Sequence, residues 1–243
     1  FGGVEALQPL SFQALEGFVD TIMVKVRERG GKALEMLLPP MAYTPSATSL
    51  LVNVLFGRGF SLSGHELNYS MPVDRGVPFR SLVDAKNRNK MNKCMKSGFT
   101  CQTLETIEDY AAAYRVIEQN RAKKNIPLTM PWGALREMHE SIPGAVCCFG
   151  CYSEGLMVAS SICIRVSSDV LYVFYWGEIE GFESFSPVSF LAAHIYDYCV
   201  EFDYSCLDAG TATLNGVPNI GLASYKKKLG FEESLKMTMS REL

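Results

Sequence analysis

Apolar and polar positions alternate along this chain in blocks that change period, and the changes mark out the elements. Apolar residues recur at helical spacing from Phe12 to Arg29, after a turn-like entry at Phe1-Gly2-Gly3-Val4. A short apolar run, Ala33 to Pro39 (ALEMLLP), predicts a strand, Ser46 to Phe56 a second helix, and His65 to Val73 (HELNYSMPV) alternates as a strand does. Asp74-Arg75-Gly76-Val77-Pro78 is the best internal boundary, with turn residues and little apolar content. Helical stretches follow at Glu105 to Lys124 and Trp132 to Glu140. Three strands come next, Ala145 to Tyr152, Leu156 to Val166 and Val170 to Trp176, joined by turns short enough for an antiparallel meander. A long helix from Ser186-Pro187 to Phe202 leads to the strand Tyr204 to Leu207, closed by Asp208-Ala209-Gly210. Pro218 then has the fixed φ suited to the first turn of a last helix, Gly230 stops that helix, and a strand runs from Phe231 to about Ser240.

One unit occurs twice in this order. Helix, strand, helix, strand over Phe12 to Val73 repeats over Ser186 to Ser240, and Gly59-Phe60 stands where Gly230-Phe231 stands in the second copy. Aligning the two Gly-Phe pairs sets Lys226 against Leu55. Any chemistry of the repeat that needs the lysine belongs to the second copy.

Composition narrows the class without naming an activity. The chain has 243 residues, 48% of them hydrophobic, and a net charge of −3, which gives no general attraction to nucleic acid or to anionic lipid. No apolar run reaches the roughly 18 residues of a membrane span, and no signal-peptide pattern opens the chain, so the expected location is cytoplasmic. The first residue is Phe1 rather than Met, so a preceding part is expected to be missing. Cys148 and Cys151 form a C-x-x-C inside a strand, where they would face opposite sides, and no second close pair completes a four-ligand set. The expectation is buried reduced thiols, no metal and no tightly bound cofactor; His65, His139 and His194 fall in no ligand spacing. Lys86, Arg88, Lys90, Lys93 and Lys96 fall within Ser81 to Gly98 with no acidic residue between Lys86 and Lys96. That run reads either as a solvated helix face or as a local anion site.

The meander followed by helix, strand, helix and last strand resembles the GNAT acyltransferase fold. Tyr175-Trp176-Gly177, Ser186-Pro187 with Leu191, Leu207-Asp208-Ala209-Gly210, and Gly221-Leu222 with Tyr225-Lys226-x-x-Leu229-Gly230 resemble the tail of its FemABX-like branch. In that branch two GNAT-like halves lie in tandem and a phenylalanine precedes the lysine, whereas here Tyr225 stands in its place. The resemblance implies an α/β (α+β) fold of tandem GNAT-like units, with a mixed central sheet flanked by helices and an incomplete first unit. Residues 1–74 would be the partial first half, 75–104 a basic linker or helix, and 105–243 the complete second half.

The same resemblance implies a bacterial-type acyl- or aminoacyltransferase acting on an amine-bearing acceptor, and the acceptor it suggests is a peptidoglycan precursor. Lys226 matches the branch's active-site lysine, where an ammonium would stabilise a tetrahedral intermediate or a phosphate; the plain alternative is that Lys226, Lys227 and Lys228 solvate a helix end. If it is catalytic, Lys226→Ala should abolish activity with a nearly unchanged melting temperature. Asp208 and Tyr175 complete the catalytic candidates, set against an ordinary turn aspartate and core packing. Arg88, Lys90, Lys93, Trp176 and Asn219 are the candidate substrate contacts. Ser186 is expected to cap the helix that Pro187 starts.

The donor is either aminoacyl-tRNA or acyl-CoA. The Gln/Arg-x-x-Gly-x-Gly/Ala spacing that cradles a CoA diphosphate is absent, and Glu178, Glu180 and Glu183 occupy its place, which favours charged tRNA and leaves a CoA-dependent enzyme with an unusual donor loop as the runner-up. Nothing suggests a DNA partner or a transmembrane segment. The rival from another class is a non-catalytic GNAT-like binding module, whose mark would be a Lys226 buried in an ion pair away from any cleft.

Overall fold

The computed structural model describes residues 11–243, so the turn-like entry expected at Phe1 to Val4 lies outside the described residues. Helix α1 (Phe12–Glu28) begins where Ser11 Oγ accepts a hydrogen bond from the Ala14 amide at 3.1 Å. Strand β1 (Ala33–Leu37), helix α2 (Pro45–Gly57) and strand β2 (Ser61–Pro72) follow, β2 starting four residues before the alternation of its sequence becomes clear. The short α3 (Phe79–Leu82) leads to α4 (Ala85–Lys96), capped by Asp84, whose Oδ1 accepts from the Asn87 amide at 2.8 Å. A four-residue strand that the sequence did not announce, β3 (Thr100–Thr103), precedes α5 (Ile107–Lys123) and α6 (Trp132–Ser141). The meander is β4 (Val146–Ser153), β5 (Leu156–Arg165) and β6 (Val170–Glu178), then α7 (Pro187–Glu201) and β7 (Cys206–Thr211). Two short strands, β8 (Thr213–Leu214) and β9 (Val217–Pro218), form a hairpin before α8 (Ile220–Lys228) and β10 (Glu232–Glu242).

The class is α/β, with strand order β1-β10-β2-β7-β6-β5-β4-β3. The sheet is mixed: β1 pairs antiparallel with β10, β3 to β6 pair antiparallel in succession, and β6 pairs with β7 in parallel. Pro218 therefore sits in a hairpin strand rather than in the first turn of α8, and Asp208-Ala209-Gly210 continues β7 rather than turning out of it.

Two compact units share the chain. The first takes residues up to Tyr69 together with Thr211–Ala223 and Glu233–Leu243. Its core gathers Leu15, Val19 and Met23 of α1, Leu51, Val54 and Leu55 of α2, Phe60, and Met237 and Met239 of β10. Arg58, just past α2, holds Asp20 at 2.7 Å and Glu16 at 2.6 Å on α1, so the two helices are tied by charge as well as by burial.

The second unit takes Ser70–Gly210 and Ser224–Glu232. Tyr110, Ala113, Tyr114 and Ile117 of α5 and Leu135 of α6 pack on Val146, Cys148, Ile162 and Tyr175 of the meander. The loop at Asp74 to Val77 is held by Tyr196 of α7, whose hydroxyl accepts from the Asp74 amide at 3.0 Å and donates toward the carbonyls of Asp74 and Val77. All eight cysteines are free thiols, Cys148 and Cys151 both fully buried, and burial pushes the Cys148 thiol up. Among the described residues no group of three or more His, Cys, Asp or Glu could hold a metal, and no helix is long and apolar enough to cross a membrane.

Candidate active site

The parallel pairing of β6 and β7 sets the geometry. It runs from Val170↔Cys206 to Tyr172↔Asp208 and stops there, although β6 continues to Glu178. Residues past Tyr172 and Asp208 thus border the place where the two strands part. Asp208 is 2% exposed, and its Oδ1 accepts from the Gly210 amide at 2.6 Å. Gly210 has φ +76, and a Cβ there would stand 3.0 Å from the Tyr172 ring, so both its backbone conformation and its neighbour require glycine.

Lys226 closes this arrangement from α8. It is 2% exposed, unlike Lys227 and Lys228, which are exposed at the same helix end. Its Nζ donates to the Gly210 carbonyl at 2.9 Å. Burial pushes its pKa down to about 8, and the Asp208 carboxylate acts in the opposite direction. The reading in which all three lysines merely solvate a helix end does not hold for Lys226. Nor does the expectation of an unchanged melting temperature for Lys226→Ala, which would empty buried space and take the donor from a carbonyl.

Tyr172, opposite Asp208, was not foreseen. Its phenol is pushed up to about 12, first by burial and then by the Asp208 charge. The only signal that finds it is the parallel register, which local sequence does not carry. Lys226, Asp208, Gly210 and Tyr172 form a charged and polar group at the end of a parallel strand pair, where an ammonium in low dielectric can act on a developing negative charge.

The remaining candidates lie elsewhere. Tyr175 is 5% exposed, and its hydroxyl contacts Thr129 Oγ1 at 2.6 Å and accepts from the Thr129 and Met130 amides at 2.9 and 3.0 Å, so it holds the loop before α6. Trp176 packs edge-on against Tyr225 and Phe231, each ring 6.1 Å away. Arg88 Nη1 donates to the Arg80 carbonyl at 3.3 Å. Lys90 Nζ donates to the Glu183 carbonyl at 3.3 Å, and Lys93 lies 3.4 Å from Ser184 Oγ and 4.0 Å over the Phe185 ring. The basic helix α4 therefore packs along the segment between β6 and α7. Asn219 Oδ1 accepts from the Leu222 amide at 3.0 Å and caps α8.

The entrance to α7 also departs from expectation. Ser186 holds the cap position with φ +55, but its Oγ lies 3.0 Å from Ser189 Oγ and accepts from no helix amide. Ser189 in turn contacts Tyr225 Oη at 3.2 Å and Asn87 Oδ1 at 3.3 Å, a buried polar chain linking α4, α7 and α8. Glu178 Oε2 takes up the Val188 amide at 3.5 Å, while Glu180 and Glu183 pair with Lys123 at 3.0 and 3.3 Å. Burial raises the Glu178 pKa.

The solved structure of FemX matches with a TM-score of 0.78 over 96% of this chain and 77% of FemX, at 13% identity. The chain has the FemABX-like GNAT fold. Consistent with that fold are the C-terminal domain of a putative lysylphosphatidylglycerol synthetase from Agrobacterium fabrum (TM-score 0.64, 11% identity, 96% of this chain and 75% of that one) and a tandem GNAT protein from the clavulanic acid biosynthesis pathway (TM-score 0.53, 12% identity, 93% and 69%). No protein-family model and no curated protein sequence matches the chain. At these identities the likeness carries the GNAT fold and leaves the activity to the residues.

Proposed function

We propose that this chain is an acyl- or aminoacyltransferase acting on an amine, that its donor is a charged tRNA, and that Lys226 is its central catalytic residue. The observation that carries the reading is Lys226 itself: a buried lysine beside Asp208, donating to the Gly210 carbonyl where β6 and β7 part. In the transfer, the acceptor nitrogen attacks the donor ester carbonyl and a C–N bond forms. The carbonyl oxygen becomes an oxyanion near the Lys226 ammonium, the C–O bond breaks, and the ribose hydroxyl leaves with the proton lost by the amine. Positioning and charge do the chemistry without a covalent intermediate.

The choice of donor is supported by the start of α7. A CoA diphosphate would seek helix N-terminal amides, yet the Val188 amide faces the protein's own Glu178 carboxylate, and Glu180 and Glu183 add negative charge nearby. A lipid- or nucleotide-linked peptidoglycan precursor is the proposed acceptor.

Mass spectrometry of products after incubation with charged tRNAs or acyl-CoAs, each with a panel of amines including muropeptide precursors, tests the reading. Product from charged tRNA alone is the expected result. Product from acyl-CoA, together with calorimetric binding of CoA, would overturn the donor and keep the class. A second reading, a binding module in which Lys226 only fastens α8 to β7, is favoured by the same 2% exposure. Lack of product from either donor by the folded protein would select it.

A further inference from the structure

We propose that Tyr172 is the general acid of the transfer, its phenol giving a proton to the ribose oxygen that leaves as the ester C–O bond breaks. This role rests on the aminoacyl ester donor proposed above. Pairing between β6 and β7 ends at Tyr172↔Asp208, so the two side chains stand on one face at the last pair before the strands part. The Tyr172 ring leans past that pair. A Cβ on Gly210, two residues beyond Asp208, would meet Tyr172 Cε2 at 3.0 Å and the hydroxyl oxygen at 3.2 Å, and the bare glycine lets the phenol lie against the backbone there. Lys226 Nζ donates to the carbonyl of the same glycine at 2.9 Å, so the phenol and the ammonium flank one residue.

The Tyr172 hydroxyl is unspent. Other buried tyrosines use theirs within the fold: Tyr110 donates to the Val146 carbonyl, and the hydroxyls of Tyr175 and Tyr225 meet those of Thr129 and Ser189. Among the described residues no group hydrogen-bonds to Tyr172 Oη, and the residue is partly exposed, its ring held edge-on by Phe174 at 5.9 Å. A braced phenol at the open end of a strand pair thus keeps its proton for a group from outside the chain.

The chemistry of the leaving oxygen selects the role. An alkoxide leaves poorly, whereas an alcohol leaves once a positioned acid supplies its proton. Burial, and then the Asp208 charge, push the phenol up to about 12, so it is protonated at neutral pH and yields its proton only to a base as strong as a departing alkoxide. Lys226 is occupied in the same step by the oxyanion on the carbonyl. As the C–O bond breaks, its electron pair goes to the ribose oxygen, which takes the phenolic proton. The tyrosinate then takes, through water, the proton lost by the acceptor nitrogen, and the phenol is restored.

The test varies the leaving group. With charged tRNA, Tyr172→Phe should lower kcat by about 10²-fold at unchanged KM, with the melting midpoint of wild type because no bond within the protein is lost. With the same amino acid offered as its p-nitrophenyl ester, whose leaving oxygen needs no proton, the loss should shrink to about threefold, whereas Lys226→Leu should lose the same factor with both donors. Turnover of Tyr172→Phe near wild type with charged tRNA, equal losses with the two donors, or a lowered melting midpoint would overturn the role and leave the transferase reading standing. No product from wild type with either donor would overturn that reading and the role together.

Discussion

The helix ends at Gly59-Phe60 and Gly230-Phe231 use one backbone device with two different side chains inside it. Gly59 has φ +76 and Gly230 φ +90; the Gly59 amide donates to the Phe56 carbonyl at 3.0 Å, and the Gly230 amide to the Lys227 carbonyl at 2.9 Å. The Phe60 amide closes on the Leu55 carbonyl at 3.0 Å, and the Phe231 amide on the Lys226 carbonyl at 3.1 Å, with both phenylalanines buried. Leu55 is 0% exposed among apolar neighbours, whereas Lys226 is 2% exposed beside Asp208 and Gly210. The same turn thus serves a core in one copy and a buried charge in the other, and the environment of a single position separates the two copies.

Exchanging the two residues is the strongest way to break that comparison. Leu55→Lys puts an ammonium among Leu51, Val54 and Met239 and should cost at least about 3 kcal/mol, read as a fall in the urea midpoint. On the proposed function, Lys226→Leu should leave a folded protein whose turnover with charged tRNA falls by about 10²–10³-fold, the usual loss for one oxyanion donor. Turnover within a few-fold of wild type would remove Lys226 from the mechanism.

The lowered pKa of Lys226 sharpens the same contrast through pH. Between about 8 and the ordinary 10.5 the unfolded chain binds a proton at Lys226 that the folded chain has shed, so this group's contribution to stability rises with pH across that window. Wild type should therefore gain on Lys226→Leu by on the order of 3 kcal/mol over the window, in paired denaturant titrations. Activity should move the opposite way, with kcat/KM falling above about pH 8 as the ammonium is lost. A pH-independent gap between the two proteins would contradict the assignment.

Smaller differences are expected at the glycines and at Tyr225. A Cβ on Gly230 would meet Leu82 Cβ and the Leu82 carbonyl oxygen at 2.9 Å, while one on Gly59 would meet nothing nearer than the Arg241 guanidinium at 3.6 Å. Gly230→Ala should then cost roughly 3 kcal/mol and Gly59→Ala about 1 kcal/mol, both in thermal melts. Tyr225→Phe, which restores the residue of the FemABX-like motif, removes the hydroxyl facing Ser189 and should cost about 1 kcal/mol with little change in turnover.

Much of the fold was legible because its signals are local. The period of Phe12 to Arg29, the turns of the meander and the two Gly-Phe stops each depend on residues a few positions apart, and they placed α1, β4 to β6 and the ends of α2 and α8. The polar edge strand β3, with four residues and no alternation, carried no such signal. Nor did the hairpin at Pro218, whose proline suits a helix start as well as a strand end.

By itself the sequence determined most of the long elements and the duplicated helix end, which follow from short-range period and backbone preference, and a succession of elements that resembles the GNAT fold. It also set Lys226 apart from Leu55 by alignment of the repeat. Only the tertiary structure placed β10 between β1 and β2, drew Asp208 into a strand opposite Tyr172, turned Tyr175 toward Thr129, and buried Lys226 while leaving Lys227 in water. These outcomes depend on which strand pairs with which, and on the desolvation and charge that result; residues distant along the chain set both, and no local pattern records them.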